Sequence, residues 1–386
     1  MPEPLRWQWW GTVAAASCVL AVSGLLLGTR LTLPMGPWSL GAGLAVGYIL
    51  VYTRFLLREN RRADGTRPLP TLGIATSITL GRALCFAVLF GFLFIPPPPE
   101  WLRWTIALVF LVASLSDLLD GYLARLTDHV TELGARLDVE ADALGMLVAS
   151  ALTVHFGILP WPFLGVGLLY YGYRLMLYAR EQRGLVNHDL PESGYRRVAG
   201  GFGVGFFVVV LFPLFDPPAA TWAGVLFIGP VLLSFLRDGL ITTGMIQPSA
   251  PRYIAIRAVA KRILLGYVPV AARLVLAVSS AILVSVLCEP WLTATGSTVG
   301  WSLWGVGTML LVTLVTVGWM GRLLAHVLLL FVCYALLTFG SDALTMTVLL
   351  STILVMVAGT GRISLWQPEE AILTRTSTDA SADSLA

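Results

Sequence analysis

Four aspartates, Asp117, Asp120, Asp138 and Asp142, stand in one stretch, SDLLDGYLARLTDHVTELGARLDVEADAL, flanked by runs apolar enough to lie in a bilayer. On helices, Asp117 and Asp120 share a face at i and i+3, and Asp138 and Asp142 do so at i and i+4. Ionisable groups beside a membrane are costly unless they are hydrated, paired or bound to metal. The plainest reading is carboxylates solvated at helix ends. The sharper one is a metal site, because facing hard oxygen donors repel one another and are relieved by hard cations such as Mg²⁺ or Mn²⁺, for which two ions are the natural number. Gly121, Ala124 and Gly134 keep the surroundings small, and Arg125 adds a fixed positive charge. Cations, a guanidinium and small residues together suit a diphosphate.

The elements that must position these residues are membrane helices. Of 386 residues, 57% are hydrophobic and 12% charged, and the mean hydropathy is +0.81. That composition excludes a soluble two-domain protein and describes an all-α polytopic membrane protein. The formal charge of +3 is too small to point to nucleic acid. Lys261 is the lone lysine, a bias that fits a GC-rich bacterial genome and hence a bacterial inner membrane. Cys18, Cys85, Cys288 and Cys333 all fall in apolar runs without ligand spacing and read as small core residues.

Apolar runs near 10–27, 40–52, 72–94, 104 to the aspartates, 138–156, 163–178, 201–215, 222–240, 272–287, 301–319, 323–337 and 344–357 add up to about twelve spans. Arginine-rich connections fall between them. Arg54, Arg58, Arg61, Arg62 and Arg67 form the first, Arg180, Arg183, Arg196 and Arg197 the second, and Arg252, Arg257, Lys261 and Arg262 the third. The positive-inside rule puts all three, and the acidic stretch, on the cytoplasmic side. The expected organisation is a transmembrane hairpin over 1–53, a basic juxtamembrane segment over 54–70, a six-span block over 71–246, a four-span domain over 247–362 and a disordered polar tail over 363–386. The Arg54 to Arg67 cluster is expected to lie along the membrane as a surface helix.

The residues Asp117, Asp120, Gly121, Ala124, Arg125, Gly134, Asp138 and Asp142 fill every fixed position of DxxDGxxARx(8)GxxxDxxxD. That pattern resembles the signature of the CDP-alcohol phosphatidyltransferase family, over about residues 72–245. The resemblance implies a six-helix membrane domain, often a homodimer. It implies two-metal transfer of a phosphatidyl or related phosphoalcohol group from a CDP-linked lipid donor to a small alcohol acceptor, with release of CMP. It makes Asp117, Asp120, Asp138 and Asp142 metal ligands, Asp142 also the general base, and Gly121, Ala124, Arg125 and Gly134 contacts of the CDP group. Ala75, Thr76, Thr79 and Arg82 partly match a second family motif, Pro-Asn-x-x-Thr-x-x-Arg, without its Pro-Asn pair, and add Thr79 as a CDP contact.

Arg180 and Glu181, then Gly194, Arg196 and Arg197, resemble the loop of phosphatidylglycerolphosphate synthases, which leans toward an acceptor bearing a phosphate, such as glycerol 3-phosphate. Arg82, Arg174 and Arg180 suit equally a ligand role or a topological charge, and Arg196 and Arg197 suit a phosphate or anionic lipid headgroups. Asp128, Glu132 and Glu140 lie outside the signature and are expected to be solvated. The closing segment GTGRISLWQPEEAIL resembles the end of DoxX-like four-helix membrane proteins. Two other functions fit the span count: a transporter or lipid flippase, and a non-catalytic relative of the family.

Overall fold

A computed structural model describes residues 2–29, 33–62, 69–126, 130–191, 194–287, 298–340, 342–361 and 363–366. Residues 118, 121, 124, 125, 194–198 and 299 are described in backbone only. Among the described residues the protein is all helix, apart from one isolated bridge between Trp319 and Trp366. Of the twelve spans expected, seven fall on helices long and apolar enough to cross a membrane, and the helices over Ala199–Leu211 and Ala343–Ala358 are apolar but shorter. This is the architecture of a polytopic membrane protein. Packing divides it into two units: Met1–Tyr178 with Val204–Pro213, and Ala179–Gly203 with Leu214–Ala386.

In the first unit, α1 (Glu3–Thr29) packs on α2 (Met35–Leu56), and α2 packs on α3 (Ile74–Phe90) and the 3₁₀ turn Gly91–Phe94 that follows it. Glycine makes these approaches possible. A methyl group on Gly91 would sit 2.7 Å from the Trp38 carbonyl oxygen, and one on Gly41 would enter the Phe94 ring. At the other end of the hairpin, Leu5, Trp9, Leu56, Leu57, Leu72 and Leu133 form one buried cluster, and the Gln8 side chain accepts a 2.7 Å bond from the Leu72 amide. α3 then packs against both α4 (Glu100–Leu126) and α5 (Glu132–His155). Along α5, Gly134 and Gly145 face α3: added methyl groups would meet Thr76 at 3.1 Å and the Phe86 ring at 2.7 Å.

The segment after α2 departs from the expected surface helix. Its described part is one 3₁₀ turn, Leu57–Glu59, and irregular chain to Arg62, with 63–68 outside the described residues. Side-chain bonds explain this. Asn60 donates to the carbonyls of Leu69 and Thr71, Arg61 pairs with Glu132 at 3.1 Å, and Glu59 pairs with Arg136 at 3.0 Å. Those partners pull the chain onto the start of α5 instead of leaving it free to run along a membrane.

α6 (Leu164–Gln182) and α7 (Gly194–Leu211) each contribute to both units. The second unit otherwise holds α8 (Pro217–Thr242), α9 (Pro251–Arg262), α10 (Val268–Val286), α11 (Thr298–Val317), α12 (Gly321–Phe339) and α13 (Ala343–Ala358). α10 packs on α11 and α13, α12 on α11 and α13, and α8 on α13. The third basic segment is helical: α9 runs into α10 through a π turn over Ile263–Tyr267. Pro269 lacks the amide that would close the preceding turn, and a widened turn absorbs the defect. Buried Arg273 of α10 donates to the Thr316 carbonyl at 3.0 Å and to the Ile363 carbonyl, so residues 363–366 are tied to the end of α11. The expected tail beyond them, 367–386, lies outside the described residues.

α6 approaches α5 through Gly167, where a methyl group would lie 2.6 Å from the Leu147 Cα and nearer still to the Ser150 hydroxyl. The backbone atom cannot rotate away. Gly167→Ala should therefore lower stability by about 1–3 kcal/mol, the cost of overpacking, read as a lower unfolding midpoint in detergent. An unchanged midpoint would show that the α5–α6 contact is looser than described.

Candidate active site

Thr76, Thr79 and Arg82 recur every three residues on α3 and are all buried. This regular spacing puts them on the face that α4 and α5 cover. The Arg82 side chain is 2% exposed and reaches the aspartates of both neighbouring helices. Its Nη1 lies 2.5 Å from Asp117 Oδ1 and 3.1 Å from Asp142 Oδ1; its Nη2 lies 2.6 Å from Asp138 Oδ1 and 3.9 Å from Asp120 Oδ2. All four aspartates of the signature thus meet at one guanidinium. The Arg82 Nε is buried without an acceptor.

The carboxylates differ in wetness. Asp120 is 6% exposed, Asp117 and Asp138 are 43% exposed, and Asp142 is 57% exposed. At the bottom, the Thr79 hydroxyl lies 2.8 Å from Asp120 Oδ2 and 3.1 Å from the Ala75 carbonyl. It has one proton to give, and the charged acceptor makes the stronger bond. One oxygen each from Asp117, Asp120 and Asp138 lie within 4.8 Å of one another, a spacing at which a single ion could be shared. Hard carboxylate oxygens are the donor type that Mg²⁺ and Mn²⁺ prefer, so the residues present fit such an ion. Asp142 stands outside that trio, on the wet side.

Gly134 lies at the first turn of α5, whose N-cap Thr131 accepts a 3.0 Å bond from the Gly134 amide. Its missing side chain leaves room for Thr76. The side chains of Gly121, Ala124, Arg125, Arg196 and Arg197 lie outside the description, as do Asp128 and His129 altogether. Arg180, in the second unit, is occupied locally: it donates to Asn187 Oδ1 at 3.0 Å and to the Val186 carbonyl at 2.8 Å, closing the turn after α6.

Two residues expected to be solvated are not. Glu132 is half-buried and bonded to Arg61. Glu140 is fully buried: it accepts 2.6 Å from the Tyr48 hydroxyl and 2.8 Å from Arg174 Nη1. Position alone hid this. Two residues from each of Asp138 and Asp142, Glu140 points away from both along a helix, but that opposite face of α5 is covered by protein. The signal available was Arg174 and the tyrosines of α6, which lie in an otherwise apolar run.

Acidic side chains from two helices, gathered around a buried arginine in a polytopic helical protein, define a cation-capable membrane site. Comparison with known proteins narrows the class. Residues 72–236 match the family model of CDP-alcohol phosphatidyltransferase. The chain is 35% identical over 97 residues to a CDP-diacylglycerol–glycerol-3-phosphate 3-phosphatidyltransferase of Cereibacter sphaeroides, covering 25% of this chain and 42% of that protein. It is 38% identical over 86 residues to the protein of the same name from Escherichia coli, covering 22% of this chain and 45% of that one. These matches span less than half the length of either relative. No solved structure matches the chain.

Removing Arg82 should leave four carboxylates facing one another. Loss of one partner from a buried ion pair costs about 3–5 kcal/mol, and three wet carboxylates bring the expected loss below that range. Arg82→Leu should lower the unfolding midpoint in metal-free buffer, and Arg82→Lys should recover only part of it, since an ammonium lacks the planar fork. Equal midpoints for all three proteins would contradict the geometry.

Proposed function

We propose that the protein is a membrane phosphotransferase that moves a phosphatidyl or related phosphoalcohol group from a CDP-linked donor, such as CDP-diacylglycerol, to an alcohol acceptor, releasing CMP. The observation that carries this reading is the convergence of Asp117, Asp120, Asp138 and Asp142 on Arg82 within the matched domain. Four carboxylates and one guanidinium carry a formal charge of −3. Two divalent cations, Mg²⁺ or Mn²⁺, would bring it to +1, a match for an incoming diphosphate. A transporter needs no such charge balance at a helix end.

When bound, the cations would polarise the diphosphate and neutralise charge on the departing CMP. The residues of the chain do the rest. Asp117, Asp120 and Asp138 hold the cations, with Thr79 orienting Asp120 from below. Asp142, exposed and outside the trio, takes the proton of the acceptor hydroxyl as its oxygen bonds the β-phosphorus and the bridging P–O bond to CMP breaks. Gly121, Ala124, Arg125, Gly134 and Thr79 contact the CDP group. Glycerol 3-phosphate, named in both relatives, is the first acceptor to test, with Arg196 and Arg197 as candidate contacts for its phosphate. The same reading puts the site at the cytoplasmic face of a bacterial inner membrane, in a homodimer.

Asp142→Asn should lower the rate of CMP release by about 10²–10⁴-fold, the usual contribution of general-base catalysis, with the unfolding midpoint preserved. Turnover retained by the folded variant would remove Asp142 from this role. EDTA should abolish CMP release from CDP-diacylglycerol, and added Mg²⁺ or Mn²⁺ should restore it. Assays with glycerol 3-phosphate, inositol phosphate, inositol, serine and choline then identify the acceptor, and no CMP release with any of them would count against the activity.

A further inference from the structure

The carboxylate of Glu140 lies between Asp138 and Asp142 in sequence and on the other side of their helix. At about 100° per residue, it points some 200° around α5 from each of them. It is fully buried and is bonded by Tyr48 of α2 and Arg174 of α6. Arg174 in turn lies over the Tyr170 ring, 5.6 Å from its centre. A buried carboxylate is strongly disfavoured without these partners, so the helix cannot turn Glu140 away from them at low cost.

α5 is thus held from two sides. On one, Arg82 of α3 bonds Asp138 and Asp142; on the other, α2 and α6 bond Glu140. Any rotation of α5 about its axis that improves one set breaks the other. Buried polar pairs are best attested as devices that fix register, and here the register in question is the direction of two site carboxylates. Tyr48 belongs to the hairpin of α1 and α2, which precedes the matched stretch 72–236.

The structure assigns Glu140 and Tyr48 as positioning residues, through which the N-terminal hairpin sets the rotation of α5 and hence the aim of Asp138 and Asp142. This inference rests on the reading of those aspartates as a cation site. Groups bonded directly to metal ligands typically change metal affinity by about 10–100-fold; Tyr48 acts at a further remove, through Glu140 and the helix, and its effect is expected at the low end of that range.

The test is Mn²⁺ binding to the purified full-length protein in detergent, followed by electron paramagnetic resonance of free Mn²⁺, with the unfolding midpoint and the kcat and KM of CMP release measured in parallel. Tyr48→Phe should stay folded and bind Mn²⁺ about 10-fold more weakly, with kcat reduced and KM for CDP-diacylglycerol held. Glu140→Ala should bind more weakly still, and Glu140→Gln, which keeps an acceptor for Tyr48 and Arg174, should recover part of the loss. Should Glu140→Ala fail to fold, Tyr48→Phe and Glu140→Gln still decide. Wild-type Mn²⁺ affinity in both of these folded variants overturns the positioning role alone, even if their unfolding midpoints fall. A wild-type protein that binds no Mn²⁺ overturns the cation-site reading and this inference with it.

Discussion

The contact on which the rest of the first unit depends is the guanidinium of Arg82 among four carboxylates. A cation so buried is tolerable because it has acidic partners on two helices, and the acids are tolerable because they have it. The bonds run from α3 outward, to Asp117 and Asp120 on α4 and to Asp138 and Asp142 on α5. α3 therefore acts as the post on which the two acidic helices hang. The close approaches at Gly134 and Gly145 belong to the same arrangement, since the arginine spans to α5 only if α5 comes near.

A second set of polar contacts ties the start of α5 to the hairpin. Glu59 with Arg136 and Arg61 with Glu132, from the segment after α2, and Gln8 of α1 with the Leu72 amide join the hairpin to the domain that carries the site. Together with Tyr48 and Glu140, these contacts run along much of the first half of α5. The hairpin is packed as part of the same unit as the acidic helices.

Much of this was legible in the residues. The spacings of Asp117 with Asp120 and of Asp138 with Asp142 told which faces they share, and their place between apolar runs told that two helix ends meet. Helix existence followed from the length of the apolar runs. What was not legible has physical causes. Arg82 could be read as a ligand contact or a topological charge, because a sequence does not show which helices stand beside α3. Glu140 read as solvated because its face of α5 was known but the cover on that face was not. α9 was not singled out as a helix, because Arg252, Arg257, Lys261 and Arg262 marked that segment only as a basic connection between spans. The segment after α2 lost its expected helix to side-chain bonds from residues about seventy positions away.

The graded wetness of the four aspartates has a kinetic meaning. Asp120 and Thr79 form a dry floor, while Asp117, Asp138 and Asp142 stand at a brim that water already reaches. Among the described residues, nothing as large as a helix covers those three carboxylates. Entry to the brim then requires Arg82 to exchange partners, and not the bundle to open over microseconds to milliseconds. The site is an open vessel with a fixed base, and its selectivity has to reside in what the brim holds and not in what the bundle admits.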